Sequence, residues 1–86
     1  MVLSYLTVEV KCPATSRRYD FKIPEKIMVK DLIEMIADEI RIYESNDELF
    51  KNTDKLFIFD EDCIPLNPLE TAVQSGIING SILMLV

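Results

Sequence analysis

The sequence predicts an α+β roll: a mixed sheet of four to five strands packed on one α-helix. Three observations carry this expectation. Two stretches of alternating apolar and polar residues open the chain around a short polar loop. A single stretch with helical apolar spacing follows. The chain then closes on "SILMLV", Ser81 to Val86, an almost wholly apolar strand with no polar tail.

Each element has its own justification. In "SYLTVEVKC", Leu6, Val8 and Val10 alternate with Tyr5, Thr7, Glu9 and Lys11, the period of a half-buried strand. "PATSR" has turn composition. "RYDFKI" alternates again, Tyr19, Phe21 and Ile23 against Arg18, Asp20 and Lys22, which completes a hairpin. Pro24 closes that strand because it has no N–H to give to a ladder. From there the period lengthens. Val29, Leu32, Ile33, Ile36 and Ile40 mark one helical face, while Lys30, Asp31, Glu34, Asp38, Glu39 and Arg41 form the other. "YESNDELFKNTD" is polar and loop-like, with Leu49 and Phe50 as its anchors.

"KLFIF" is a short strand rich in aromatic and β-branched residues, and "DEDC" is an acidic turn. Ile64 to Leu66 has room for only a brief edge strand between Pro65 and Pro68. "LETAVQSGI" suggests one or two helical turns stopped at Gly76. Asn79–Gly80 is a tight turn into the last strand. Hairpin, crossing helix and late apolar strand together describe a β-grasp roll, in which the last strand pairs parallel to the first. In the middle of the sheet an all-apolar strand is shielded on both sides, so it is not a sticky edge.

Composition narrows the function. With 86 residues the chain supports one domain, residues 1–86, with a thin core. No apolar run is long enough to span a membrane. "MVLSYLTVEVKC" lacks the basic lead and cleavage site of a signal peptide, so a cytoplasmic location is expected. The net charge is −6, with nine cations scattered among 15 anions, which speaks against nucleic acid or an anionic lipid surface as the partner.

Chemistry is scarce. There is no histidine, hence neither the usual general base nor the commonest metal ligand. Cys12 and Cys63 match no zinc spacing. They read as two small, half-buried, reduced thiols, although sequence leaves a single disulfide open. The acids beside Cys63 disfavour its thiolate. Only two glycines are present, so no phosphate-cradling loop exists, and "FDEDC" lacks the ligand spacing of an EF-hand. No enzyme activity, cofactor or metal is expected.

Taken together, the opening hairpin, Pro24, the Val29/Leu32/Ile36 spacing, "KLFIF" and the closing "GIINGSILMLV" resemble the ubiquitin-like β-grasp superfamily over nearly the whole chain. The bare ending is most similar to the small YukD/EsaB-like proteins of bacterial type VII secretion. That resemblance implies a non-catalytic interaction module on the cytoplasmic side of an ESX-like secretion machine, with a partner among its membrane components. In related systems a similar domain is fused to a multi-spanning channel subunit and pairs with its copy, so this chain also fits a domain of such a subunit. The competing expectation is a ubiquitin-like modifier or sulfur carrier. Those relatives end in a flexible Gly-Gly tail, which threads a channel too narrow for side chains. In this sequence Val86 stands there, within the strand.

Alternation also nominates a binding surface. With Leu83 and Leu85 in the core beside Phe57 and Phe59, the outward residues are Ile82, Met84 and Val86, joined by Ile58, Leu56, Tyr5 and Thr7. The resemblance gives Ile58 the place of the isoleucine at the centre of ubiquitin's recognition face. A one-residue slip would exchange the two faces, and the loop from Tyr43 to Asp54 can also cover an edge residue. Self-association and docking to a larger protein are both consistent with such a patch. Full burial of three of these side chains would contribute very roughly 5–8 kcal/mol before association costs. Incubation with a ubiquitin-type activating enzyme and ATP is expected to yield neither adenylate nor thioester; a clear product would establish the modifier alternative.

Overall fold

A computed structural model describes residues 4–51 and 58–86. Among them the elements run β1 (Tyr5–Cys12), β2 (Arg17–Pro24), α1 (Val29–Glu44), β3 (Ile58–Phe59) and β4 (Ile82–Leu85). The sheet has four strands in the order β2-β1-β4-β3. β1 and β2 form the opening antiparallel hairpin, with Val8 opposite Phe21 and Val10 opposite Tyr19. β4 lies parallel to β1, Glu9 beside Ile82 and Lys11 beside Met84, and β3 joins β4 antiparallel. The expected α+β β-grasp roll is the fold observed.

The alternation in β1 and β2 sorts their side chains as the sequence suggests. Val8, Val10, Cys12 and Ile23 are buried, and Leu6, Tyr19 and Phe21 pack against them. Across from them α1 buries Val29, Leu32, Ile33, Ile36, Ala37 and Ile40. These residues, with Ile58, Leu83 and Leu85, make one cluster that contains no buried polar or charged side chain.

The helix differs from expectation at its C-terminal end. It continues through Tyr43 and Glu44, which the sequence assigns to the following loop, and stops at Ser45. Ser45 takes a left-handed conformation (φ 50°, ψ 42°), the geometry that glycine usually supplies at a helix end. With no glycine there, no stop signal was visible. Arg41, placed on the polar face by spacing, is half-buried and serves the next loop. Its guanidinium donates to the carbonyls of Leu49 (3.1 Å) and Phe50 (2.7 Å) and also pairs with Asp38. Leu49 and Phe50 pack on the core, as anchors should.

The stretch from Glu70 to Gly76 forms consecutive turns in place of a helix. It presses Ala72 and Ile77 into the core, and Gly76 leaves it at φ +83°. The edge strand expected over Ile64 to Leu66 reduces to a bridge between Phe59 and Pro65, with the Leu66 N–H donating to the Ile58 carbonyl (2.8 Å). At Ile78–Ser81 the Ser81 N–H closes a turn on the Ile78 carbonyl (3.0 Å), with Gly80 at φ +86°.

Replacing Arg41 by Met retains the apolar stem but removes the charged donors from two loop carbonyls. Arg41→Met is expected to lower unfolding stability by about 1.5–3 kcal/mol, measured by urea denaturation.

Candidate functional site

The outer face of the sheet is the surface that sequence parity singles out. Along β4 the side chains divide as expected: Leu83 and Leu85 are buried, while Ile82 and Met84 face outward, half-buried. Val86, just past the strand, is 50% exposed.

Ile58 is a correction. It is completely buried, because the register sets it opposite Leu85 on the core face and turns Phe59 outward beside Met84. The cause lies in the sequence itself. Leu56, Phe57, Ile58 and Phe59 are all apolar, so the run carries no period-2 signal to say which parity points inward. Ile58 therefore does not occupy the recognition-isoleucine place that the resemblance gave it. Phe59, expected in the core, is half-buried on the outer side. Leu56 and Phe57 lie outside the described residues.

Tyr5 is also exposed and outward, but it belongs to a different neighbourhood. Because β1 and β4 run parallel with Glu9 beside Ile82, Tyr5 and Val86 lie eight residue steps apart along the sheet, about 26 Å. The Lys22 ammonium sits 5.2 Å from the Tyr5 ring centroid, a cation–π contact at that far end.

What the sheet brings together is thus narrower than the nominated set. Phe59, Ile82 and Met84 form an apolar strip two strands wide. Beyond it β1 places Glu9 and Lys11, and β2 places Arg18, Asp20 and Lys22. A shallow depression of about 450 Å³ lies over the strip, lined by Ile82, Met84 and Lys11 and closed at one side by Asp60 to Cys63. The outward parity of β4 was readable; the charged neighbours follow from which strand pairs with which.

The geometry suits contact more than catalysis. Among the described residues no cluster of three His, Cys, Asp or Glu side chains is arranged to hold a metal ion. The Asp60 carboxylate is engaged by the backbone, accepting from the N–H groups of Asp62 and Ile64 at 2.9 Å each. Both cysteines are free thiols; Cys12 is buried, whereas Cys63 is exposed at the turn and not half-buried. The one clear pKa displacement concerns Tyr19, whose phenol is pushed above its ordinary 10.0 mainly by burial and further by the Glu44 carboxylate. Its hydroxyl donates to Glu44 (2.7 Å) and lies 2.8 Å from the Thr15 hydroxyl, a link from the hairpin to the end of α1.

A hairpin, one helix and a parallel terminal strand define a ubiquitin-like domain, and solved structures share that fold. The ubiquitin-like domain of the Mycobacterium tuberculosis type VII secretion system protein ECCD1 superposes with a TM-score of 0.75 at 15% identity, covering 98% of this chain and 99% of that one. The ubiquitin-like domain of Arabidopsis thaliana protein At2g32350 gives 0.70 at 19% identity, covering 99% and 79%. Caldiarchaeum subterraneum ubiquitin gives 0.68 at 10% identity, covering 95% and 91%. No curated protein matches the chain. The family model described as "WXG100 protein secretion system (Wss), protein YukD" matches residues 5–85, and the chain belongs to that family.

The corrected register has a direct consequence. Ile58→Glu places an uncompensated charge in the core and is expected to cost at least about 3–5 kcal/mol, leaving the protein largely unfolded. Met84→Glu, on the outer face, is expected to change stability by no more than about 1 kcal/mol. Circular dichroism with urea titration of both variants checks the pair.

Proposed function

We propose that this chain is a non-catalytic interaction module of a bacterial WXG100-type, or type VII, secretion system, acting on the cytoplasmic side of the membrane. The observation that carries this reading is membership of the YukD family across residues 5–85. The fold shared with the ECCD1 ubiquitin-like domain is consistent with it. Two features of the molecule support contact as its mode of action. The core holds no buried polar side chain from which to build a reaction centre. The outer sheet face instead carries an apolar strip at the centre of a domain that is otherwise well charged.

In this reading the strip of Ile82 and Met84, with Phe59 beside it and Val86 at its end, meets a protein partner. The partner is a membrane component of the secretion machine, or a second copy of the domain. Ile82 and Met84 are already half-buried, so the area left to bury is small and the interface is modest. Specificity then rests on the flanking charges, Lys11 on one side and Asp60 to Asp62 on the other.

The test is a pull-down from the native host with the wild-type chain and an Ile82→Glu/Met84→Glu variant, alongside sedimentation of each purified protein. Wild type is expected to retain secretion-system membrane proteins, or to dimerise, and the variant to lose that contact while staying folded. Equal capture and equal association state for the two proteins would remove the outer face from the mechanism.

A further inference from the structure

The two edges of the sheet are treated differently. Beside β3 lies the segment Ile64 to Leu66. The Leu66 N–H donates to the Ile58 carbonyl (2.8 Å), and the Asp60 N–H donates to the Ile64 carbonyl (3.1 Å). β2, on the opposite edge, is eight residues long and pairs only with β1. Among the described residues no further backbone hydrogen bond reaches Arg18 to Ile23. In an antiparallel edge strand every second residue turns its N–H and C=O away from the sheet. β2 therefore presents an unused ladder along its outer side.

A groove of about 320 Å³ runs next to that ladder, between β2 and α1. Its apolar lining is Tyr19 and Phe21 from β2 with Ile40 and Tyr43 from α1. Tyr43 is 70% exposed, held edge-on against Tyr19 with ring centroids 5.7 Å apart, and its ring is available to a ligand at low entropic cost. A strand added to β2 would lie about 4.8 Å outside it, above this groove. Alternate side chains of such a strand would point toward the α1 side, onto Phe21, Ile40 and Tyr43. The intervening ones would point to the outer face, level with Arg18, Asp20 and Lys22.

Charge selects the occupant. The chain as a whole is strongly acidic, yet β1 and β2 carry Lys11, Arg17, Arg18 and Lys22 against only Glu9 and Asp20. Lys11 and Arg18 stand directly opposite each other, a pairing of like charges that costs stability. Their nearest carboxylate relief is a loose contact, Arg18 to Glu9 at 4.0 Å, and Arg17 reaches Glu44 at 3.7 Å. Lys22 leans on the Tyr5 ring. Cations along an edge discourage indiscriminate strand pairing, and they favour a strand that brings carboxylates.

We propose that the β2 edge and the β2–α1 groove together form a docking site for an extended segment of a partner protein in which apolar and acidic residues alternate. The segment adds to the sheet as a strand, seats its apolar side chains in the groove, and sets its carboxylates beside Arg18 and Lys22. This site is separate from the Ile82/Met84 strip and does not depend on it.

The test uses the whole chain, isotopically labelled, and three capped synthetic heptapeptides. One alternates Asp and Ile, one alternates Lys and Ile, and one is the Asp/Ile peptide with a central Pro. The Asp/Ile peptide is expected to bind saturably with a Kd below about 1 mM. It should shift the amide resonances of Arg18 to Ile23 together with those of Glu39, Ile40 and Tyr43. Arg18→Glu/Lys22→Glu should weaken it about tenfold, and Tyr43→Ala should weaken it too. Met84→Glu should leave it unchanged. The proline peptide, lacking one ladder donor, should bind less well. Equal binding of the Lys/Ile peptide, shifts confined to another surface, insensitivity to the β2 charge reversal, or pairing of two copies through β2 would each overturn the proposal.

Discussion

Residues 82–84 lie beside residues 9–11 in a parallel ladder, and the rest of the molecule is arranged around that contact. It joins the two ends of the sequence at the centre of the sheet, so both remaining strands are flanks: β2 on the outer side of β1, β3 on the outer side of β4. A parallel pair needs a long crossover, and α1 is part of it. The ladder is locked in place by the turn that precedes β4. Gly80 donates to the Thr7 carbonyl at 2.8 Å, Asn79 accepts from the Thr7 N–H at 2.9 Å, and the Glu9 N–H reaches Ser81 at 2.9 Å. Asn79 and Gly80 thus do more than reverse the chain. They tie the start of the last strand to the first strand, 72 residues away in sequence.

Much of this was legible because the physics is local. Strict alternation over eight residues defines the faces of β1 and β2, and five apolar positions at helical spacing define the buried side of α1. Leu83 and Leu85 followed from parity in the same way. What was not legible depends on tertiary choices. In the "KLFIF" run, the decision to bury Ile58 and turn Phe59 outward is made by pairing with Leu85 and Met84, not by any pattern of its own. The helix end at Ser45 carries no glycine to announce it, and Arg41 looks like any other polar-face residue until the loop carbonyls of Leu49 and Phe50 arrive over it. The nominated surface suffered from the same limit. Parity says which side chains point outward, but only the strand order says that Glu9 and Lys11 border Ile82 and Met84, and that Tyr5 and Val86 lie at opposite ends.

Small size explains why the core does so little beyond holding the fold. An uninterrupted apolar cluster, with no polar side chain inside it, is the simplest way for a domain of this length to be stable. A reaction centre would need buried, perturbed polar groups in that same volume, each with a desolvation cost to offset. Tyr19 is the exception that shows the pattern. Its ring belongs to the edge of the core while its hydroxyl is held by Glu44 and Thr15 at the surface, where it braces the hairpin against α1. Polar chemistry here is used for alignment.

The charge distribution follows from the same economy of space. With the interior closed to ions, every charged side chain must lie on a surface, and the fold sorts them by element. α1 carries Asp31, Glu34, Asp38, Glu39 and Glu44 against Lys30 and Arg41, whereas the hairpin is cationic on balance. The boundary between these two regions is the β2–α1 groove, where Arg18 and Glu39 line opposite sides of an apolar floor. The Ile82/Met84 strip on the outer sheet face likewise lies between Lys11 and the acids of the Asp60 turn. Each apolar surface is therefore framed by unlike charges on its two sides. A symmetric frame would leave the direction of an approaching chain undetermined; an asymmetric one fixes its orientation, because only one alignment puts each partner charge beside its opposite. In a domain whose interior is wholly committed to folding, that framing is where recognition can be encoded.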